Sequence, residues 1–439
     1  MGALTGSRHH ARSAWVLRGA LVLCLAGYVF VYATGRAENP IRSDGFSYYV
    51  YLPSWFLYHD TTLSAVARDC CGGVYPAYTA IIRWPSTRRW INAHPIGVAV
   101  MQTPFFWAAH ALTRWSNLSP DGFTLYYQHA VGLSGLVWVV AGLVVLARLL
   151  RRHFSDGITA ATLVVVLLGT SLYHYATFDS SYSHPYSFFL FAAFLDLTEA
   201  WYGDPRARTS VLLGLVAGLI VLTRHTNALF LVMFPLYGID RLAALRARAA
   251  FMRQRRRLVS IIAIGAGLVI VPQLAIYYQA TGHVLVSSYG DLGFNFTSPR
   301  ILQVLFSVQK GLFFWSPVLL TSCVGFFWLA RSTHPARAFV FPAVLFLACD
   351  TYVIASWWDW QFGGSFGHRG FVDALPIFAI GTAGFFALID QPGMRRLIAV
   401  AIALAVALNM FQMLQYWNHV LPFSDTTWQQ YRDAFLRWR

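Results

Sequence analysis

The polar residues best suited to chemistry in this sequence begin with a single carboxylate that follows the first apolar run. Asp44 is followed by Gly45 and then by Tyr48 and Tyr49. A carboxylate beside a cavity can act as general base for a hydroxyl group. Ser-Asp-Gly is also favourable turn chemistry. Asp44 is therefore a candidate base, and an ordinary turn is the alternative.

A second candidate is the segment 357–369, which is rich in tryptophan and glycine. Three tryptophans in four residues, among them Trp358 and Trp360, precede three glycines in five and then His368 and Arg369. Glycines let a ligand approach the backbone closely, and arginine suits bidentate binding of phosphate. Indole rings offer a surface on which a sugar can stack. An interfacial aromatic belt is the alternative, but the density of these residues favours a binding loop.

A third candidate interrupts an apolar run at residues 223–227. There Arg224 and His225 lie between two stretches too short to cross a bilayer upright. Charged residues at membrane depth mark a functional site by default, although a long side chain can also reach the interface. Helices broken at membrane depth are tolerated where they line a cavity or are buried in protein. The break therefore predicts a water-accessible pocket.

Three further basic residues lie at the ends of apolar runs. Lys310 is the only lysine of the chain, and His94 and His184 each precede a proline. An ammonium group there could meet a phosphate, and a histidine could bind phosphate or relay protons. For each of them, an ordinary position at a helix end or at the interface is the alternative.

The composition indicates which elements must position these residues. Hydrophobic residues make up 57% of the 439 positions and charged residues 12%, about half the charged share of soluble domains. Apolar runs of about 20 residues match the length that crosses a bilayer. The sequence predicts an all-α, polytopic transmembrane bundle of about 11–12 hydrophobic helices in a single domain, 1–439. The apolar runs lie near 15–34, 95–113, 127–149, 157–176, 185–202, 210–223, 226–239, 258–278, 311–330, 338–356, 371–389 and 397–417.

The placement of positive charge predicts the orientation of these helices. The net charge is +15, but seven arginines fall within one segment, 241–257, between two apolar runs. Short basic loops hold the cytoplasmic side of a membrane protein, so nucleic-acid binding is not indicated. Applied to every basic loop, the rule predicts extracytoplasmic loops at 35–93, 279–310 and 357–370 and an extracytoplasmic tail at 418–439. All of the candidate residues then lie at one face.

Two segments need separate treatment. The run 95–113 breaks the alternation of sides, and because Pro104 lies in its middle, we expect a re-entrant pair of half-helices there; the alternative is an inner-side exception at Arg148–Arg152. Cys70 and Cys71 are adjacent in the first loop, where an unstrained disulfide is disfavoured. The cysteines at 24, 323 and 349 are predicted as small core residues.

This layout resembles the GT-C superfamily of membrane glycosyltransferases, and within it the protein mannosyltransferase and aminoarabinose transferase branch. Asp44-Gly45 sits where that family has an acidic residue in its long first extracytoplasmic loop. The stretch His94–Gly97 is similar to the family's proline motif, and Leu222–Arg224 also resembles the family.

The resemblance implies a glycosyltransferase of the plasma or inner membrane, with its active site on the extracytoplasmic face. Its donor would be a polyprenyl-phosphate sugar, and Asp44 would take a proton from an acceptor hydroxyl during an inverting displacement. The cations that would stabilise the leaving phosphate are Arg224, Lys310, Arg369 and one of His94 and His368. The partners are then the lipid-linked donor and membrane lipids, with no nucleic acid, while the sugar and the acceptor (glycan, lipid or protein) stay open. The residues form no metal-ligand set, yet a divalent cation stays open. The alternatives are a lipid or sugar transporter or flippase, and an inactive scaffold subunit.

Overall fold

A computed structural model describes residues 11–69, 80–241, 243–289 and 292–438. Cys70 and Cys71 lie outside the described residues. Each of the twelve predicted apolar runs is helical, which confirms an all-α bundle. The α-helices are α1 (Ala11–Ala33), α2 (Asp44–Tyr49), α3 (Tyr51–Phe56), α4 (Ser64–Asp69), α5 (Gly97–Trp115), α6 (Leu125–Arg151), α7 (Asp156–Leu168), α8 (Leu172–Thr177), α9 (Ser183–Gly203), α10 (Ala207–Thr223), α11 (Met233–Leu236), α12 (Ala244–Gln254), α13 (Arg256–Thr281), α14 (Ile301–Phe306), α15 (Leu312–Trp315), α16 (Leu320–Arg331), α17 (Val340–Ser356), α18 (Leu375–Leu388), α19 (Pro392–Trp417) and α20 (Trp428–Ala434).

Five helical segments are long and apolar enough to cross a membrane: Ala11–Ala33, Leu125–Arg151, Arg256–Thr281, Pro335–Ser356 and Pro392–Trp417. Five shorter apolar helices lie among them. On α13, Ile264, Leu268 and Val271 share one face and are more than half exposed. A face of this kind is stable in lipid and not in water. The chain is therefore an integral, multi-pass membrane protein.

Lipid-facing surfaces also account for two cysteines that the sequence placed in the core. Cys24 is buried in α1, as predicted, but Cys323 and Cys349 are exposed on α16 and α17. The core prediction is wrong for these two because their helices turn those faces outward. An apolar run does not reveal which of its faces packs on protein.

The predicted break near residue 224 is confirmed. Helix α10 ends at Thr223, Arg224 is extended, and a 3₁₀ helix continues from His225 to Val232. Two other runs are broken as well: α7 and α8 are separated by residues 169–171, and α15 and α16 by a 3₁₀ helix at Pro317–Leu319. Broken helices at this depth are tolerated where they line a cavity.

The predicted break at Pro104 is wrong. Helix α5 runs without interruption through this proline. Pro104 removes only the backbone hydrogen bond to the Val100 carbonyl, and the helix continues on both sides of it. That the run 95–113 does not cross the membrane stays a prediction. It is supported by contacts of both ends of α5: Gly97 with Leu222, and His110 with Tyr127, near the first turn of α6.

The first loop contains a small antiparallel hairpin that the sequence did not predict. Its strands are β1 (Ile81–Arg83) and β2 (Trp90–Asn92), with Ile81 opposite Asn92. The turn between them is fixed to the end of α13, because Thr87 and Arg89 donate hydrogen bonds to the carbonyls of Ala280 and Gln279. The hairpin thus holds the loop against the bundle.

A cluster of charged residues joins the C-terminal ends of α6 and α9. Asp196 is buried and pairs with both Arg148 and Arg152. Arg152 also reaches Glu199 at 2.6 Å, and His153 bonds the same carboxylate at 2.6 Å. These charges satisfy one another, which indicates that they fasten the two helices together.

Candidate active site

A cavity of about 540 Å³ lies where the first loop meets α9, the 223–227 break, residues 286–289 and 292–294, and the end of α17. This volume is in the range of small-molecule sites. Eight of the candidate residues line it: Asp44, Tyr48, His94, His184, Arg224, His225, Trp358 and Arg369. Residues from distant parts of the chain therefore share one site.

The centre of the site is an ion pair between Asp44 and Arg369. Arg369 Nη1 donates to Asp44 Oδ2 at 2.8 Å, and the side chains are 21% and 16% exposed for Asp44 and Arg369. The two residues come from the two loops that the sequence singled out. The guanidinium of Arg369 can bind an anion through two parallel hydrogen bonds. The carboxylate of Asp44 beside it can accept a proton.

The local backbone brings Asp44 to this position. Ser43 has a φ of 46°, a left-handed conformation that costs free energy in a residue other than glycine. Gly45 packs so closely on Ser181 that a Cβ atom would lie 1.9 Å from the Ser181 hydroxyl oxygen. A residue with a side chain at position 45 would therefore push α2 away from the cavity.

The charge state of Asp44 follows from its neighbours. Burial raises its pKa, but the guanidinium of Arg369, with His94 and His184, outweighs burial and holds the pKa below its ordinary value. Burial lowers the pKa of His94 to about 4. Asp44 is therefore ionised and His94 neutral near pH 7.

A buried network anchors the chain just before Asp44. Arg42 pairs with Asp179 at 2.8 Å, and Asp179 also accepts from His174 Nε2 at 2.9 Å. His174 Nδ1 accepts from Trp417 at 2.9 Å, so its proton resides on Nε2. The first loop is thereby fixed to the loop after α8 and to α19.

The two other stretches that resemble the GT-C family meet at the cavity. A Cβ atom on Gly97 would lie 2.4 Å from the backbone of Leu222, so glycine is what lets α5 approach the end of α10. This approach brings His94 and Arg224 to the same cavity. The His94 ring packs against Tyr48 with 4.3 Å between ring centroids.

Asp373, which the sequence analysis missed, bonds two residues that line the cavity, His184 and Asn227. It is 2% exposed; its Oδ1 accepts from His184 Nδ1 at 2.7 Å and its Oδ2 from Asn227 at 3.0 Å. Arg224 lies 3.7 Å away. Because the carboxylate can only accept, His184 carries its proton on Nδ1 and leaves Nε2 free to accept. A lone acid in the apolar run 371–389 was the signal that could have revealed it.

Four candidates do not line the cavity. Tyr49 donates to the Gly122 carbonyl at 2.5 Å, and Trp360 is buried at 3% exposure. His368 Nδ1 accepts from the Gly370 amide, and burial lowers the pKa of His368 to about 3. Lys310 is 2% exposed and donates to the carbonyls of Ser365 and Phe423. The side chain of Lys310 therefore points into the protein and joins the 357–370 loop to the tail.

Two further acids line the cavity, Asp350 and Asp359. The sequence analysis did not select either of them. Asp359 accepts backbone hydrogen bonds from its own loop, from Gln361 and Gly363. Within the described residues, no group of three or more His, Cys, Asp or Glu side chains is placed to hold a metal ion.

No protein-family model matches the chain, and no curated protein matches it. Among solved structures, an archaeal oligosaccharyltransferase AglB from Archaeoglobus fulgidus, in complex with an inhibitory peptide and a dolichol-phosphate, is similar with a TM-score of 0.52 and 10% identity. The similarity covers 96% of this chain and 57% of that one. This chain has a GT-C-like fold. At this identity the likeness concerns the fold alone.

Proposed function

We propose that this protein is a glycosyltransferase that moves a sugar from a polyprenyl-phosphate donor to an acceptor hydroxyl on the extracytoplasmic face. The observation that carries the proposal is the Asp44–Arg369 ion pair within a cavity of a GT-C-like fold. The AglB structure was obtained with a dolichol-phosphate, a lipid phosphate of the kind such a donor would release.

The mechanism is a single inverting displacement. Asp44 accepts the proton of the acceptor hydroxyl while that oxygen attacks the anomeric carbon. The bond from the anomeric carbon to the phosphate oxygen breaks, and the polyprenyl phosphate leaves with the electron pair. Arg369 stabilises the charge that grows on this phosphate.

The ion pair also suggests how the base becomes active. While Arg369 is bonded to Asp44, the low pKa of Asp44 makes it a weak base. A donor phosphate that binds Arg369 brings a competing negative charge and draws the guanidinium away. The pKa of Asp44 then rises, because the positive charge of Arg369 no longer offsets the effect of burial on this carboxyl group. Donor binding would thus prepare the base for the acceptor.

The extracytoplasmic placement of the site rests on the loop charges. The cavity is lined by the first loop, the 223–227 break, residues 286–289 and 292–294, and the 357–370 loop. The positive-inside rule predicts that these parts of the chain lie on the outer side. The broken helices would also suit a transporter. A transport pathway would need access from both faces, and the charge cluster around Asp196 on the opposite side is paired internally.

The test is transfer by the purified protein in nanodiscs. Radiolabelled polyprenyl-phosphate mannose, glucose, galactose and arabinose are each supplied with cell-envelope material as the source of acceptors. We expect labelled product from wild type and a loss of at least about 100-fold for Asp44→Asn, because general-base catalysis contributes about this much. Asp390→Asn is the matched control, since the Asp390 side chain is 92% exposed. Transfer by correctly folded Asp44→Asn at the wild-type rate would refute the assignment.

Donor uptake into liposomes separates the enzyme from a transporter. The labelled donor is placed outside sealed vesicles, and its appearance in the inner leaflet is followed without any acceptor. Movement of the intact donor across the bilayer, without sugar transfer in the first assay, would favour transport. Neither activity, with no donor binding, would favour the inactive scaffold.

A further inference from the structure

Asp350 is a carboxylate on the cavity wall formed by α17. It lies six residues before the end of the helix, which is roughly 9 Å along the helix axis. Phe346 and Ile354, four residues before and after it, are 2% and 4% exposed. Residues four apart share a helix face, so Asp350 faces the protein interior and lines the cavity.

Within the described residues, Asp350 has no hydrogen bond and no ion pair. An acid in a transmembrane helix is costly and ordinarily has a partner. The other acids near the cavity differ in this respect: Asp44 pairs with Arg369, Asp373 with His184, and Asp359 with backbone amides. The lone state of Asp350 therefore points to a partner that arrives with the ligand.

Arg224 lines the same cavity as Asp350. The two do not form an ion pair, and Arg224 lies 3.7 Å from Asp373, beyond hydrogen-bond distance. Arg224 thus has hydrogen-bond donors to spare, and Asp350 has acceptors to spare, in the same cavity. A hydroxyl group both donates and accepts, so the hydroxyls of a sugar in this cavity can donate to Asp350 and accept from Arg224.

An aromatic surface lies at the same cavity. Trp358 lines it with 53% of its surface exposed, and Trp357, directly after the end of α17, lines it too. A sugar has an apolar ring face and polar edges. The ring face suits an indole, and the edges suit a carboxylate beside a guanidinium.

We propose that Asp350 binds the hydroxyl groups of the transferred sugar and so sets which sugars the protein accepts. This inference rests on the proposed function. It assigns the sugar to the α17 side of the cavity and the phosphate to the Arg369 side. Asp350 contributes to recognition of the sugar and takes no proton in the transfer.

The test compares two ligands on three proteins in nanodiscs. The ligands are the best polyprenyl-phosphate sugar from the transfer panel and the bare polyprenyl phosphate of the same chain length. The proteins are wild type, Asp350→Asn and the control Asp390→Asn. We expect Asp350→Asn to bind the sugar lipid about 10- to 100-fold more weakly, the effect of losing hydrogen bonds to a charged group. Binding of the bare phosphate should stay within about twofold of wild type.

The readouts separate this inference from the proposed function. Equal weakening for both ligands, or no change for either, would overturn the role of Asp350. If wild type binds neither ligand, the proposed function itself fails, and the role of Asp350 fails with it. A thermal midpoint of Asp350→Asn equal to or above that of wild type, with weaker sugar binding, supports a ligand-directed carboxylate, because a structural one would lower it. Asp350→Leu, which removes all hydrogen bonding, should show the same selective loss.

Discussion

Replacing Asp373 by asparagine tests the buried network that supports the cavity. The carboxylate accepts from His184 at 2.7 Å and from Asn227 at 3.0 Å while 2% exposed. Asparagine keeps one oxygen and turns an NH₂ group toward one of these donors. The change loses one hydrogen bond to a charged group, about 1.5–3 kcal/mol, and leaves a buried donor unsatisfied, about 1–3 kcal/mol.

These two contributions together predict a loss of about 2.5–6 kcal/mol in the free energy of unfolding, a range that includes the roughly 3–5 kcal/mol found when one member of a buried pair is removed. Unfolding in mixed micelles with increasing SDS, followed by tryptophan fluorescence, measures this change. Asp390→Asn should differ from wild type by less than about 0.5 kcal/mol, because the exposed Asp390 lies 3.9 Å from Arg395. The reasoning is refuted if Asp373→Asn unfolds at the same SDS fraction as wild type.

Three further predictions concern charge and packing. Burial lowers the pKa of Lys310 to about 7, so ε-¹³C labelling of this single lysine should give one resonance that titrates near pH 7, and a midpoint near 10.5 would contradict its burial. Between pH 7 and 10.5, Lys310 is then protonated in the unfolded chain and neutral in the folded one. Lys310 therefore makes the free energy of unfolding rise with pH in that window, and Lys310→Met should lessen the rise. Arg369→Gln removes the cation that lowers the pKa of Asp44, so the acid limb of the pH profile of kcat/KM should move to higher pH. An acid limb at the wild-type pH would exclude Asp44 as the base. Gly97→Val should unfold more readily than Gly393→Val, since a Cβ atom at 97 meets the Leu222 backbone at 2.4 Å and one at 393 meets nothing; equal stability would contradict that packing.

The helices were predictable because each apolar run is long enough to be recognised from its composition alone. The break at Arg224 was also predictable, since a charge at that depth interrupts an otherwise continuous run. Strands β1 and β2 have three residues each, too few for a periodic pattern. The prediction at Pro104 was wrong because a single proline removes one backbone hydrogen bond and weakens a helix without necessarily ending it.

The candidate site was predictable in its membership more than in its geometry. Loop charges placed Asp44 and Arg369 on one face, but their 2.8 Å contact spans 325 positions of sequence and depends on tertiary packing. Residue type does not reveal where a side chain points, so Lys310 was chosen although it is not among the residues that line the cavity and donates to the carbonyls of Ser365 and Phe423. Asp350 and Asp373 were visible as lone acids in apolar runs, and the rule on intramembrane charges would have found both.

The most direct measurement is a cryo-EM structure of the protein in nanodiscs with a non-hydrolysable phosphonate analogue of a polyprenyl-phosphate sugar. The phosphonate oxygens should lie about 3 Å from the Arg369 guanidinium, with the Asp44–Arg369 contact opened. The sugar should lie between Asp44 and Asp350. A head group bound outside this cavity, with the Asp44–Arg369 pair still closed, would contradict the proposed site.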